Sequence, residues 1–173
     1  MLPHFSLLTK IIHIALCCSE DFAALSTVII THFINERWGT FVKAFEPIIP
    51  SAFAQIYDSY QFAPAVRIGN DIHVSGVVGF NEDGTFPPDF KDQARNVFRL
   101  MEVVLAECGG SLRDVFSMTS YHVGDLPKQM RSLIEEKTSR LGTPHPAWTA
   151  VSVSGLAVPE AILEIAAIAR LSV

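Results

Sequence analysis

Ala65-Val66-Arg67-Ile68-Gly69-Asn70-Asp71-Ile72-His73-Val74-Ser75-Gly76 reads as two short strands folded back on one another around a tight turn. Apolar and β-branched residues flank a Gly-Asn-Asp punctuation, and glycine and asparagine accept the positive φ angles that hairpin turns demand. Alternation sets Arg67 on the opposite face from Val66 and Ile68. Gly76 marks either a bulge or a place where something approaches the backbone closely.

Outward from this hairpin, the elements follow from local pattern. Asn81-Glu82-Asp83-Gly84 and Pro87-Pro88 supply turns, and Asp89 offers a side-chain oxygen to the free amides of an opening helix. Apolar residues then recur at Phe90, Ala94, Val97, Phe98, Met101, Val104, Leu105 and Cys108, with charged residues between them; this predicts an amphipathic helix ended by Gly109-Gly110. Residues 115–123 are β-branched and aromatic and predict a strand, and residues 126–141 have helical spacing up to Gly142. Residues 148–154 alternate as a strand, and residues 161–171 are almost continuously apolar, as expected of a central strand buried on both faces. The order is β-β-α-β-α-β-β, an α+β domain with a mixed sheet carrying two helices on one face. The other sheet face needs a cover, and oligomerisation is the simplest one.

The chain has 173 residues, enough for one domain with a sizeable core and an extension. A formal charge of −5 gives no basic field for a phosphate backbone, which argues against nucleic acid as a partner. Cys17 and Cys18 are adjacent and Cys108 is remote, which is neither a disulfide framework nor a zinc spacing, so a reducing cytoplasmic compartment is expected. No phosphate loop, serine-nucleophile elbow or metal cluster stands in the sequence.

Residues 1–50 differ from the rest. The apolar runs at 11–18 and 23–34 are shorter than the roughly 18 to 20 residues a membrane span requires, and Cys17-Cys18-Ser19-Glu20-Asp21 is a poor signal-cleavage site. Three readings stay open for this extension: a signal peptide, since Lys10 precedes a short apolar core; helices packed on the domain; or a start assigned too far upstream. Because Met101 is the first methionine after Met1, a shorter product would begin at a non-Met codon such as that of Val42.

Phe62-Ala63-Pro64-Ala65-Val66-Arg67-Ile68-Gly69-Asn70 with Val74-Ser75-Gly76, and Pro146-Ala147-Trp148-Thr149-Ala150-Val151 with Leu163-Glu164-Ile165, resemble the opening hairpin and closing signature of the RidA-like (YjgF/YER057c) family. The resemblance spans residues 57–173 in order and spacing. It implies a chorismate-mutase-like protomer in a homotrimer, with helices outside and clefts between subunits that hold a small-molecule ligand. It also implies cofactor-free and metal-free hydrolysis of enamines and imines to a carbonyl compound and ammonia. In that family an arginine after Pro-Ala grips the substrate carboxylate, and a glutamate on the last strand positions water. Glu164 falls on the glutamate, Trp148 stands at the arginine, and Phe62 stands where many members have tyrosine, as in an arginine-less branch. An indole has one N–H and no charge, so it cannot make the bidentate bond to a carboxylate. A simple amino-acid-derived imine is therefore not the expected substrate.

The candidate site residues follow. Glu164 sits within an apolar strand, where a carboxylate is costly unless it is hydrogen-bonded or protonated; it serves catalysis of water and proton transfer, or a structural hydrogen bond. Trp148 and Phe62 are candidate walls of a substrate pocket, or packing. His122 is a candidate proton carrier because its ordinary pKa lies near neutrality, or a hydrogen-bonded strand histidine. Gly76 is a candidate for close ligand approach. Arg67 is a replacement anion grip or a solvated surface residue, and Cys108 belongs to the core stripe. Against the hydrolase stand a non-catalytic trimeric binder of apolar metabolites or protein partners, favoured by the missing arginine, and an endoribonuclease, disfavoured by the acidic balance.

Overall fold

The structure, a computed structural model, describes residues 44–172; the apolar runs at 11–18 and 23–34 lie outside them. The elements in chain order are β1 (Glu46–Ile48), a 3-10 turn (Ser51–Phe53), α1 (Ala54–Tyr60), β2 (Ala65–Ile68), β3 (Asp71–Val78) and α2 (Phe90–Glu107). A second 3-10 turn (Leu112–Asp114) then leads to β4 (Val115–Val123), α3 (Leu126–Leu141), β5 (Ala147–Val153) and β6 (Leu163–Arg170). The compact unit begins at Ala44, ahead of Tyr57, because β1 adds to the sheet edge by pairing antiparallel with β2.

The six strands run in the order β1-β2-β3-β6-β4-β5. β4 and β5 are parallel neighbours bridged by α3, and the other neighbouring pairs are antiparallel, so the sheet is mixed. Two crossovers through α2 and α3 build this arrangement, and the last strand enters between β3 and β4. The hairpin turn is closed by Gly69 at φ 61°, a conformation that costs a glycine little.

Helix α2 begins as its sequence requires. The Asp89 carboxylate accepts hydrogen bonds from the Lys91 and Asp92 amides, satisfying two of the free N–H groups of the first turn. Its buried stripe (Ala94, Val97, Phe98, Met101, Val104 and Leu105) packs on the sheet face formed by Ile72, Val74, Leu163, Ile165, Ala167 and Ala169. Helix α3 starts at the Asp125 cap with Pro127 in its first turn and buries Leu133 and Leu141 beside α2. Arg95–Glu136 and Lys91–Glu135 link the two helices at their exposed surfaces.

β6 is central, but only one of its faces is buried. Leu163, Ile165, Ala167 and Ala169 face the helices, while Glu164, Ala166 and Ile168 are half-buried on the opposite face. The continuous apolar run therefore hides an alternation in burial, and both-face burial is not found in the protomer. No described helix is long and apolar enough to cross a membrane.

Candidate functional site

A cavity of about 560 Å³ opens on the helix-free side of the sheet, next to the Ser75–Gly76 bulge of β3. Three segments converge to make it. Helix α1 and the following loop contribute Ile56, Tyr60, Phe62 and Pro64; the loop after β3 contributes Phe80 and Phe86; the loop before β6 contributes Ala157 and Val158. Phe80 makes edge-on ring contacts with Phe53 at 6.4 Å and Phe86 at 6.3 Å, forming one aromatic wall.

Local hydrogen bonds hold these segments in place. Ser75 N–H donates to Pro64 O (2.9 Å) and Ser75 Oγ–H to Ala63 O (2.7 Å), which ties the α1 loop to the bulge. Asn81 and Thr85 close the next loop through backbone and side chains, and Asn96 on α2 donates to Asn81 Oδ1. Gln93, buried on the inner face of α2, spans the remaining distance. Its Nε2 donates to both Pro87 O and Glu160 O, and its Oε1 accepts from the Ile162 amide, each at 2.9 Å. All of its hydrogen-bonding capacity toward the two loops is used. Gly79 permits close contact behind the cavity, because a Cβ there would lie 2.7 Å from the Gln93 carbonyl carbon.

Glu164 projects into this cavity from β6, where it pairs with Val78 and Tyr121. Burial raises its pKa above the ordinary carboxyl value, and no cation or hydrogen bond from the described residues opposes the shift. Gly76 lies directly opposite: a Cβ there would overlap Glu164 Oε1 and stand 2.7 Å from Cδ. The bulged glycine thus leaves room for the carboxyl group. A carboxyl in such a place holds its proton more tightly than an exposed one and can exchange it with a bound molecule or water.

Glu164, Gly76 and Phe62 therefore come together as cavity-lining residues. Trp148 and His122 do not. Trp148 pairs with Met118, and both lie on the helix side of the sheet, away from Glu164. Its Nε1–H donates to Ser120 Oγ (2.9 Å), which is also 2.9 Å from His122 Nε2; His122 Nδ1 is 2.9 Å from Gln129 Oε1. Gln129 Nε2 donates to Val123 O, which turns Oε1 toward the imidazole. Nδ1 therefore carries the proton, and Nε2 accepts from the Ser120 hydroxyl. Every member of the relay is satisfied with a neutral histidine, whose ring stacks on Phe90 at 5.8 Å. Burial lowers the His122 pKa, opposed by the Gln129 bond. His122 is a core residue shut off from solvent, and Trp148 is held by its bond to Ser120, with the Lys137 ammonium 5.3 Å above the indole.

Arg67 lies opposite Ile72 on the helix side, with Nε buried and unpartnered, so it is not a grip for a ligand in the cavity. Cys108 caps α2, its thiol donating to Leu105 O and its pKa raised by burial. No group of three or more metal-ligating side chains is found among the described residues. Sequence reasoning missed Gln93, Phe80, Phe86 and Ile56. Gln93 sits on the buried stripe of α2, and a polar residue there was the available signal.

The sequence pattern of the Endoribonuclease L-PSP family matches residues 53–171. The RutC family protein YjgH of Escherichia coli is 35% identical over 111 residues, covering 64% of this chain and 84% of the relative. The 3-aminoacrylate deaminase RutC of Acinetobacter baylyi is 30% identical over 116 residues, covering 63% and 86%. The solved structure of protein YjgH superposes with a TM-score of 0.65 at 34% identity, covering 74% of this chain and 97% of that one. By its α+β fold and these similarities, the chain belongs to the Endoribonuclease L-PSP family, the RidA/YjgF family that its hairpin and Pro-Ala-Trp signature resemble.

Proposed function

We propose that this protein is a cofactor-free hydrolase that converts an enamine or imine to a carbonyl compound and ammonia. The observation that carries the reading is Glu164, a carboxyl of raised pKa with no hydrogen-bond partner among the described residues, facing an apolar cavity. In its protonated form Glu164 gives a proton to the enamine carbon or the imine nitrogen. As carboxylate it takes one from the attacking water. As the carbinolamine collapses, Glu164 gives its proton to the amine nitrogen, the C–N bond breaks and ammonia leaves, and the carboxylate takes the hydroxyl proton as the C=O bond forms, which returns Glu164 to its protonated starting state. General acid–base work of this kind contributes about 10² to 10⁴ in rate. That a relative in Acinetobacter bears the name 3-aminoacrylate deaminase supports the reaction type. The substrate itself is a different one, since no cation among the described residues lines this cavity to receive a carboxylate.

The working unit we propose is a homotrimer. The helix-free sheet face, where Val151, Tyr121 and Glu164 align across neighbouring strands, leaves Val151 38% exposed, and a second copy is the simplest cover for an apolar sheet surface. Packing there would also narrow the mouth of the cavity and exclude water from Glu164.

The test is ammonia release from a panel of enamines and imines generated in place, comparing wild type with Glu164→Ala. Turnover by the wild type and its loss in the variant are expected; equal rates in both would remove Glu164 from the mechanism. A second reading, a non-catalytic binder of small apolar metabolites, is favoured by the apolar lining, and complete absence of turnover with retained ligand binding would establish it. Ribonuclease activity that survives nuclease-free repurification would contradict both.

A further inference from the structure

The three segments that line the cavity share a charge pattern. Residues 51–64, 75–90 and 154–164 contain no lysine, arginine or histidine, whereas they carry Asp58, Glu82, Asp83, Asp89, Glu160 and Glu164. The cation bonded nearest the wall is Arg99, and its Nη2 donates to Phe80 O from the helix side, so it serves the backbone rather than the cavity. Of the polar lining groups, the Ser75 hydroxyl is already engaged with Ala63 O. What remains toward a ligand among the described residues is one carboxyl, the Tyr60 hydroxyl and the faces of aromatic rings, with no cation.

From this we infer that the cavity selects imines and enamines that bear an aromatic or bulky apolar group and no acidic group, such as those formed by oxidation of arylalkyl amines. The inference rests on the hydrolase reading for its chemistry and on the cavity lining for its selectivity. Two forces act together. A substrate carboxylate would enter a low-dielectric space facing Glu164 with no counter-charge from the described residues, and an unpaired buried charge is strongly disfavoured. An iminium nitrogen, by contrast, is a cation that pairs with the Glu164 carboxylate and is attracted to the faces of neighbouring rings. The cavity volume of about 560 Å³ is within the range of roughly 300–1,000 Å³ that encloses small organic ligands, which is ample for a phenyl ring on a two-carbon arm. The hydrolysis balances without any co-reactant besides water: R–CH=NH and water give R–CHO and ammonia, the C–O bond forming as the C=N π electrons pass to nitrogen. The reaction that must supply this substrate is a two-electron oxidation of a primary amine.

Imines made in place from 2-phenylethylamine by an amine oxidase and from phenylalanine by an amino-acid oxidase differ by a carboxylate, and they test the selectivity in the full-length protein. Each rate is expressed over its own uncatalysed hydrolysis, and calorimetry measures binding of the two parent amines. At least tenfold greater acceleration is expected for the 2-phenylethylamine imine, with at least tenfold tighter binding of its amine. Phe62→Ala, at a residue 41% exposed and outside the buried core, is expected to reduce the preference at least threefold. Equal or greater acceleration of the phenylalanine imine overturns the substrate class and leaves the hydrolase reading standing. If neither imine is accelerated but only 2-phenylethylamine binds, the hydrolase reading falls and the class stands as a ligand preference. Binding of neither amine overturns the class.

Discussion

Gly76 and Glu164 occupy complementary space: a Cβ on Gly76 would overlap Glu164 Oε1, so the carboxyl sits where a side chain at position 76 would have been. Because the obstructed atoms are the far end of a flexible side chain, Gly76→Ala can be accommodated by swinging the carboxyl aside. The fold should lose about 1 kcal/mol or less, while a displacement of about 1 Å at a reacting group can cost about 10²-fold in rate. Melting temperature and kcat measured on the same preparation separate the two effects; a fall in both together would make Gly76 a structural glycine.

Glu164→Gln keeps the shape and removes the proton exchange, so activity should fall about 10²-fold or more. Stability should move the other way. The folded state holds the Glu164 proton more tightly than the unfolded chain, whose carboxyl titrates near the ordinary value of 4.5. Wild-type stability therefore declines as pH rises from that value through the raised folded pKa, and above it the full penalty is present. The glutamine variant should be the more thermostable at pH 7, with the difference closing below pH 4.5. Melting curves across that range check the sign.

Ser120, His122 and Trp148 form one hydrogen-bonded unit away from the cavity. Ser120→Ala leaves the indole N–H and the imidazole without their shared partner, at a cost of about 1–3 kcal/mol. Activity at the cavity should be preserved at temperatures below the lowered transition. The folded pKa of His122 is depressed below 6.5, so the unfolded chain binds its proton first as pH falls. Stability from this group is present above pH 6.5 and is lost as the pH falls below it toward the folded value. Removing His122 should flatten that portion of the stability profile, as read by denaturant titration.

Gly79→Ala places a methyl against the Gln93 main chain, which belongs to a helix and cannot yield as a side-chain tip can. A destabilisation of about 1–3 kcal/mol or more is expected. Gln93→Ala should be milder for the fold and should loosen both loops of the cavity, raising KM more than it lowers kcat.

Three copies of the 19.0 kDa chain would give a particle of about 57 kDa by light scattering, on the assembly proposed from the uncovered sheet face. Val151→Lys puts a charge on that face without touching the core. Its expected outcome is dissociation to monomers and loss of activity together. A wild-type protein that elutes as a monomer with full activity would end the trimer reading.

Legibility divided according to the range of the interactions. The helices 90–107 and 126–141 and the strand 115–123 announced themselves because caps, glycine stops and periodicity act between residues a few positions apart. β1 and α1 did not: β1 is three residues that include Pro47 and is held by pairing with the edge of β2, and α1 is a single short helix with no buried residue to give it a periodic stripe.

At the candidate site, residue type and resemblance singled out Glu164, Phe62 and Gly76, and the fold gathers all three on one cavity. They also singled out Trp148 and His122, which the fold turns inward. Alternation along a strand tells which side chains share a face, but which face is covered by helices depends on the register between β4, β5 and β6. That register places Trp148 beside Met118 and Glu164 beside Tyr121. The sequence by itself determined the element order, the α+β class and the presence of one costly carboxyl in an apolar strand, since these follow from local propensity and composition. Only the tertiary structure decided that Glu164 faces an aromatic cavity with no basic side chain among its described lining residues while the indole and imidazole satisfy each other through Ser120, because cross-strand register and packing bring together residues that are far apart along the chain.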